Sequence, residues 1–285
     1  MTPPGVDPAR VVIEALRLDR WSPDEVEVRA DRALELGVGG FILFGGEAEQ
    51  VGRLVERLRT DAGRSPWIGA DLERGAGQQV RGLSEFPPPA ALAAHPHPEE
   101  AVTTAGRTTA EEALSVGINF GPDPGRVGAL GGRWIEACQS TGAVACAKHF
   151  PGHGRTKDDS HIGLPTVDVP ATLLEDDLAP FAAVSDRVGS MMVAHVSYPA
   201  LGGGRAATVS PDIVSGLLRG RLGFEGIVST DAMIMGGVGR DDAGAAVEAL
   251  KAGCDLVCYP GDAGATINRA RWRREAGRPT AVGSR

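Results

Sequence analysis

Long hydrophobic runs are missing from this sequence. No stretch reaches the ~18 apolar residues that a membrane-spanning helix requires. Residues 1–20 mix Pro, Asp and Arg with short apolar runs, unlike the continuous apolar stretch of a signal peptide. The expectation is therefore a cytoplasmic protein that does not bind membranes.

Cysteine and positive charge are also scarce. The four cysteines, Cys138, Cys146, Cys254 and Cys258, form no CxxC pair, and two of them lie inside apolar runs. This usage is typical of buried reduced thiols and not of a disulfide framework. The formal net charge is −8, from 29 basic and 37 acidic residues, which argues against a nucleic-acid partner because such binding normally needs a basic surface.

Linkers, low-complexity tracts and internal repeats are absent, so the sequence predicts a single domain over residues 1–285. The part of this domain that the sequence predicts least clearly is its tail, from about residue 263 to residue 285. It turns basic and ends in a tail rich in proline and glycine, and its helix is expected to be short. The last β/α unit is accordingly the one open to being incomplete.

Glycine and proline, in contrast, are abundant at 40 and 20 residues, and most glycines stand singly between apolar runs, as in a fold with many tight connections. Eight short apolar runs are predicted as strands: residues 11–13, 40–44, 67–70, 118–120, 144–147, 191–194, 226–229 and 256–258. Helical spacing of apolar residues predicts helices at 23–36, 47–62, 98–116, 127–140, 210–222 and 245–252.

This alternation predicts an α/β fold with parallel strands, because a parallel crossover needs a connection the size of a helix. About eight β/α units is the number that closes a single (β/α)8 TIM-like barrel. An open doubly wound sheet is the structural alternative. The first and fourth strands carry the weakest signal.

Polar residues follow four of the predicted strands. Asp71, the pair Lys148 and His149, His195 and Asp231 each come just after an apolar run. Barrel enzymes keep their active sites at the carboxyl ends of the strands. Four such positions together predict a site there.

The segment KHFPGHG at residues 148–154, followed by DDSHIGLP at 158–165, is the most distinctive motif. A loop rich in glycine is costly to order unless something binds to it. Asp159 and His161 are two residues apart, so the carboxylate can orient the imidazole and raise its basicity, which makes a general acid/base pair. The alternative interpretation is a surface loop with incidental histidines.

A zinc site is a further possibility that the three histidines of this segment raise, since His149, His153 and His161 offer three nitrogen ligands. Pro151 and Gly152 break any helix between the first two, so the spacing does not favour it. Gly75 and Gly77 do not complete a phosphate-binding loop either. No metal and no other cofactor is expected.

Two aspartates have both a chemical and a structural interpretation. Asp231 directly follows a predicted strand and precedes small and flexible apolar residues. A carboxylate in this position can attack an anomeric carbon, or else it caps the following helix. Asp71 can accept hydrogen bonds from adjacent sugar hydroxyls, or else it is a solvated loop acid.

Taken in order, KHFPGHG, DSHIGLP, AHVSYPAL at residues 194–201 and GFEGIVSTDAM at 223–233 resemble glycoside hydrolase family 3, and within it the bacterial β-N-acetylhexosaminidase branch. The likeness extends from about residue 36 to residue 261. It implies a (β/α)8 barrel and a two-step retaining mechanism in which Asp231 is the nucleophile and His161, oriented by Asp159, is the acid/base. The same resemblance implies a set of sugar-binding residues: Asp71, Arg81, Lys148, His149 and His195, the last at the floor of the site.

The sequence departs from the family after the fourth strand. Family members carry a longer loop there, with an arginine that contacts the sugar. Here Asn119 and Phe120 lead almost directly to Arg126, which is no obvious substitute. This departure bears on substrate affinity more than on the type of reaction.

The function that follows is hydrolysis of a terminal β-linked N-acetylglucosamine, for instance from muropeptides in peptidoglycan recycling, through a covalent glycosyl-Asp intermediate. A β-N-acetylglucosaminide phosphorylase and a β-glucosidase are the enzymatic alternatives. An inactive sugar-binding remnant is the alternative from another class. A carbohydrate is the expected partner, and the sequence does not predict an oligomeric state.

Overall fold

The computed structural model describes residues 7–88, 91–92, 94–115, 120–122, 129–202 and 204–276. Its strands are β1 (Val12–Arg17), β2 (Gly40–Phe44), β3 (Trp67–Gly69), β4 (Phe120–Pro122), β5 (Val144–Phe150), β6 (Ser190–Val193), β7 (Ile227–Thr230) and β8 (Val257–Cys258). Each predicted strand therefore has a counterpart in the structure. Of the predicted run at 118–120, residues 118 and 119 lie outside the described part.

The order of the strands establishes a barrel. The pairings give β3-β2-β1-β8 and β4-β5-β6-β7, and all of them are parallel. The two groups meet where Ser229 of β7 forms a parallel bridge with Leu256, next to β8. Consecutive strands within each group are thus neighbours, and β1 lies between β2 and β8. This arrangement confirms the TIM-like barrel and not the doubly wound sheet, in which the first strand would adjoin strands from the middle of the chain.

Helices follow the strands along the chain. They are α1 (Pro23–Leu36), α2 (Ala48–Asp61), α3 (Pro98–Ser115), α4 (Ala129–Gln139), α5 (Ala171–Ala182), α6 (Pro199–Gly202), the π-helix π1 (Asp212–Arg221), α7 (Asp242–Ala252) and α8 (Ala263–Ala276). The expectation of a short closing helix was wrong, because α8 has 14 residues, as many as α1. The last β/α unit has both its strand and its helix.

The core is divided between two large clusters of buried side chains. One lies around β1–β3 and includes Leu16, Phe41 and Leu58, and the other lies around β5–β7 and includes Phe150 and Tyr198. All four cysteines fall within described segments, and each is buried and outside any disulfide, as predicted. These clusters hold the strands rigidly, so the residues at the strand ends have a stable frame.

Asn119, just before β4, and Arg126, in the shortened loop after it, lie outside the described part of the chain. Within the described segments, no helix is both long and apolar enough to cross a membrane.

Candidate active site

The carboxyl end of the barrel holds most of the predicted site. Asp71 comes two residues after β3, and Asp231 follows β7 directly. Lys148 and His149 are among the last three residues of β5. All four side chains line one cavity of about 1110 Å³. Because parallel strands end on the same side of a barrel, residues far apart in sequence converge there.

Lys148 is held by two carboxylates. Its Nζ lies 2.8 Å from Oδ1 of Asp71 and 3.8 Å from Oε1 of Glu73, and only 9% of its side chain is exposed. Burial alone would lower the pKa of Lys148, but the charges of Asp71 and Glu73 outweigh it and raise the pKa above the ordinary lysine value. The result is a permanent positive charge at the base of the cavity, with Asp71 oriented beside it.

Asp231 lies between a backbone amide and a histidine. Its Oδ1 accepts a hydrogen bond from the N–H of Ala232 at 2.7 Å. Its Oδ2 lies 3.8 Å from Nε2 of His149. Burial lowers the pKa of His149 to about 4, Lys148 and His153 act in the same direction, and the negative charge of Asp231 opposes them. His149 is therefore a neutral imidazole at neutral pH, next to the candidate nucleophile.

The predicted acid/base pair is formed in the loop after β5. His161 Nδ1 lies 2.8 Å from Oδ1 of Asp159, and the same oxygen accepts the backbone N–H of His161 at 2.9 Å. These hydrogen bonds lower the pKa of Asp159, so the carboxylate keeps its charge. Since a carboxylate can only accept, the proton lies on Nδ1 and leaves Nε2 available to a substrate. Both residues line the same cavity as Asp231.

His153 contacts two hydroxyl groups. Its Nδ1 lies 2.9 Å from Oγ1 of Thr156 and its Nε2 lies 3.3 Å from Oγ of Ser160, while its ring meets the His149 ring edge-on at 5.6 Å. Within the described residues no group of three or more His, Cys, Asp or Glu side chains is arranged to hold a metal ion. The histidines of this segment thus contact hydroxyl groups, a carboxylate and one another.

His195 does not reach the cavity, in contrast to the expectation that it would line the floor. It is completely buried, with Nδ1 at 2.8 Å from Oγ1 of Thr208 and Nε2 at 3.2 Å from the carbonyl oxygen of Ala232. Burial lowers the pKa of His195, against the opposing charge of Asp231. Its ring therefore supports the backbone at Ala232, next to Asp231.

Arg81 also lies away from the cavity, although the resemblance implied a sugar contact. Its guanidinium pairs with Glu47, and 70% of its side chain is exposed. Two other residues were missed by the sequence analysis. Glu73 contacts Lys148, and Tyr259, which follows β8 with a φ of 45°, lines the cavity. The signal for both was available, since Glu73 is two residues from Asp71 and Tyr259 follows a strand, as the other site residues do.

A parallel α/β barrel with a carboxylate, a histidine paired with a carboxylate, and a lysine at the carboxyl ends of its strands belongs to the class of α/β-barrel enzymes. Residues 119–278 match the model of the glycosyl hydrolase family 3 N terminal domain. The β-hexosaminidase of Pseudomonas aeruginosa is 33% identical over 253 residues, which cover 78% of this chain and 75% of that protein. That of Bordetella avium is 34% identical, covering 77% and 73%.

Solved structures agree with these relatives. A glycoside hydrolase family 3 β-N-acetylglucosaminidase from Paenibacillus sp. superposes with a TM-score of 0.85 at 30% identity, covering 96% of this chain and 58% of that one. NagZ from Neisseria gonorrhoeae, in complex with N-trifluoroacetyl-D-glucosamine, superposes with a TM-score of 0.76 at 26% identity, covering 93% and 84%. The chain belongs to glycosyl hydrolase family 3, and it is a glycosidase.

Proposed function

We propose that this chain removes terminal β-linked N-acetylglucosamine by a retaining, two-step hydrolysis. The observation that carries the proposal is that Asp231 and the Asp159–His161 pair line one cavity from two different loops. The relatives named β-hexosaminidase and the β-N-acetylglucosaminidase structures support the choice of sugar.

In the first step an oxygen of Asp231 forms a bond to the anomeric carbon while the bond to the leaving oxygen breaks. Oδ1 is occupied by the amide of Ala232, so Oδ2 is the oxygen that attacks. His161, with a proton on each ring nitrogen at the start, gives the Nε2 proton to the leaving oxygen and keeps the Nδ1 proton in its hydrogen bond to Asp159. In the second step water displaces Asp231 at the same carbon, and His161 takes the proton of the water.

The base of the cavity supplies the binding groups. Asp71, oriented by Lys148 at 2.8 Å, accepts hydrogen bonds from sugar hydroxyls, and Lys148 donates to them. His149 adds a neutral ring that meets the sugar without repelling a positively charged transition state. Such an oxocarbenium-like transition state forms at the carbon that Asp231 attacks.

The first test compares wild type with Asp231→Ala for release of nitrophenol from the β-N-acetylglucosaminide and from the β-glucoside. We expect wild type to prefer the first substrate and the variant to lose activity by at least roughly 1000-fold, as when a nucleophile is removed from other covalent enzymes. Asp186→Ala is the matched control, because the Asp186 side chain is 81% exposed and lies outside the cavity.

Each of the other outcomes has a distinct meaning. Preference for the β-glucoside would replace the proposed sugar. Formation of a sugar 1-phosphate in phosphate buffer would make the chain a phosphorylase, and inactivity of folded wild type towards both substrates would make it a binding remnant.

An N-acetylhexosaminyl adduct on the Asp231 peptide, captured with His161→Ala and a nitrophenyl substrate, is the expected sign of the covalent intermediate. The muropeptide aglycone and the cytoplasmic location stay predictions.

A further inference from the structure

Two loops carry the catalytic groups, and two backbone hydrogen bonds join them. The acid/base loop comprises residues 158–165, and the nucleophile loop comprises residues 231–238. The N–H of Gly236 donates to the carbonyl oxygen of His161, and the N–H of Gly237 donates to that of Ser160, both at 3.1 Å. The bonds are thus made at the acid/base residue itself and at its neighbour.

Only glycine permits this approach. A Cβ on Gly236 would lie 2.4 Å from the carbonyl oxygen of Ile162 and 3.0 Å from that of His161. A Cβ on Gly237 would lie 2.7 Å from the carbonyl oxygen of His195. Since neither glycine has φ in the left-handed region, the requirement is for space and not for an unusual backbone conformation.

The acid/base loop has little packing of its own. The side chains of Asp159 and His161 are 56% and 73% exposed, and Ile162 is 84% exposed. Ser160, at 4% exposure, and Pro165 are the buried residues of this loop, and Ser160 is also the residue whose carbonyl oxygen accepts the N–H of Gly237. The anchoring of the exposed acid/base pair therefore depends strongly on its contact with the nucleophile loop.

We propose that Gly236 and Gly237 form a clasp that positions His161 with respect to Asp231. This inference rests on the proposed function for the roles of those two residues. The glycines act through the loops and do not touch the substrate. Loosening the clasp leaves the nucleophile in place, because Asp231 keeps its bond to Ala232, but it moves the group that protonates the leaving oxygen.

The kinetic test uses Gly236→Ala, whose new methyl group has its three nearest atoms in the backbone of His161 and Ile162. The substrates are aryl N-acetyl-β-glucosaminides with a 4-nitrophenol or a phenol leaving group. A 4-nitrophenolate leaves without protonation, whereas phenol needs the acid. We expect kcat/KM for the phenyl substrate to fall at least about tenfold more than for the nitrophenyl substrate, within the range that acid catalysis contributes.

Gly52→Ala in α2 is the matched control, because its added Cβ has no atom within 4 Å. It is expected to leave both rates as in wild type. An equal loss of kcat/KM on the two substrates in folded Gly236→Ala would overturn the clasp, since a purely structural defect does not depend on the leaving group. An unchanged kcat/KM on both substrates would overturn it as well.

Hydrogen exchange tests the clasp without any activity. In wild type the amides of Gly236 and Gly237 should exchange more slowly than in an unstructured peptide, and in Gly236→Ala the peptide over residues 157–165 should exchange faster. Unprotected glycine amides in wild type would overturn the proposal even if the variant failed to fold. Inactive wild type with protected amides would instead refute the proposed function and leave the contact between the loops established.

Discussion

At the scale of the residue, His149 shows how the site sets a protonation state. Its side chain is 29% exposed, and its pKa is lowered to about 4, first by burial and then by the nearby charges of Lys148 and His153. An unfolded histidine titrates near 6.5. Between those two values the unfolded chain binds a proton that the folded chain excludes, so folding is disfavoured as the pH falls.

We therefore expect His149 to make the protein sensitive to acid between about pH 6.5 and pH 4. The loss of unfolding free energy reaches at most about 1.4 kcal/mol per pH unit from this group. Urea unfolding of wild type and His149→Gln across that window measures it, and the variant should have the shallower dependence on pH. His97→Gln, at an exposed histidine, is the control and should follow wild type. Parallel plots of unfolding free energy against pH for wild type and His149→Gln would contradict the lowered pKa of His149.

The residues of the site differ in how far the sequence predicted their place. Asp71, Lys148 and Asp231 follow strands, and a residue that follows a parallel strand lies at the carboxyl end of the barrel. His195 also follows a strand, and the family resemblance implied that it lines the floor of the site, but it is wholly buried behind Ala232. Position after a strand indicates the end of the barrel but not the direction of the side chain, which depends on the path of the loop.

At the scale of the element, the spacing of apolar residues predicted α1, and local contacts form its ends. Ser22 caps its N-terminus and exchanges hydrogen bonds with Glu25, and Gly37 ends it with φ of 76°. Each cap is made within four residues of the helix end, so neither needs a distant contact. The helix runs from Pro23 to Leu36, as predicted.

Removing this cap should cost stability without affecting the site. Ser22→Ala is expected to lower the free energy of unfolding by about 1 kcal/mol, because the N–H of Glu25 loses its acceptor. Ser22→Thr retains a hydroxyl and should lose only a few tenths of that amount. Chemical denaturation monitored by circular dichroism compares the three proteins. Equal stability of Ser22→Ala and wild type would show that the cap contributes nothing.

Two other elements could not be read from local pattern. The helix predicted at 210–222 is present as π1 (Asp212–Arg221), and apolar spacing does not distinguish an i→i+5 helix from an α-helix. The sequence analysis did not predict α5 (Ala171–Ala182), which contains Pro180. Proline ordinarily argues against a helix interior, and here the packing of Leu174, Leu178 and Phe181 in the core overrides it.

At the scale of the whole molecule, Asp255 ties β7 to the segment that leads into β8. Its Oδ2 accepts the N–H of Val228 at 2.8 Å and pairs with Arg219, while its own N–H donates to the carbonyl oxygen of Val228 at 2.7 Å. Since β7 and β8 belong to the two separate groups of strands, this residue helps to join the halves of the barrel.

We expect Asp255→Ala to lower the free energy of unfolding by about 1–3 kcal/mol, because it leaves the buried N–H of Val228 without its acceptor. Glu175→Ala is the control. It removes an exposed ion pair with Arg221, which water screens, so the expected loss of unfolding free energy is smaller. Urea unfolding of the three proteins decides the matter. A loss in Asp255→Ala no larger than in Glu175→Ala would mean that the junction is held by the backbone alone.

The sequence by itself determined the alternation of strands and helices and the motifs that carry Asp159, His161 and Asp231, because hydrophobic periodicity and short motifs are local properties of a chain. The order of the strands in the sheet then decided for the barrel over the doubly wound sheet. Only the tertiary structure decided which side chains share the cavity. It brought Glu73 to Lys148, left Arg81 at the surface with Glu47, and buried His195. It also placed Gly236 against the acid/base loop, some 75 residues away in sequence. Contacts of this kind depend on the relative paths of loops, and no window of sequence contains both partners.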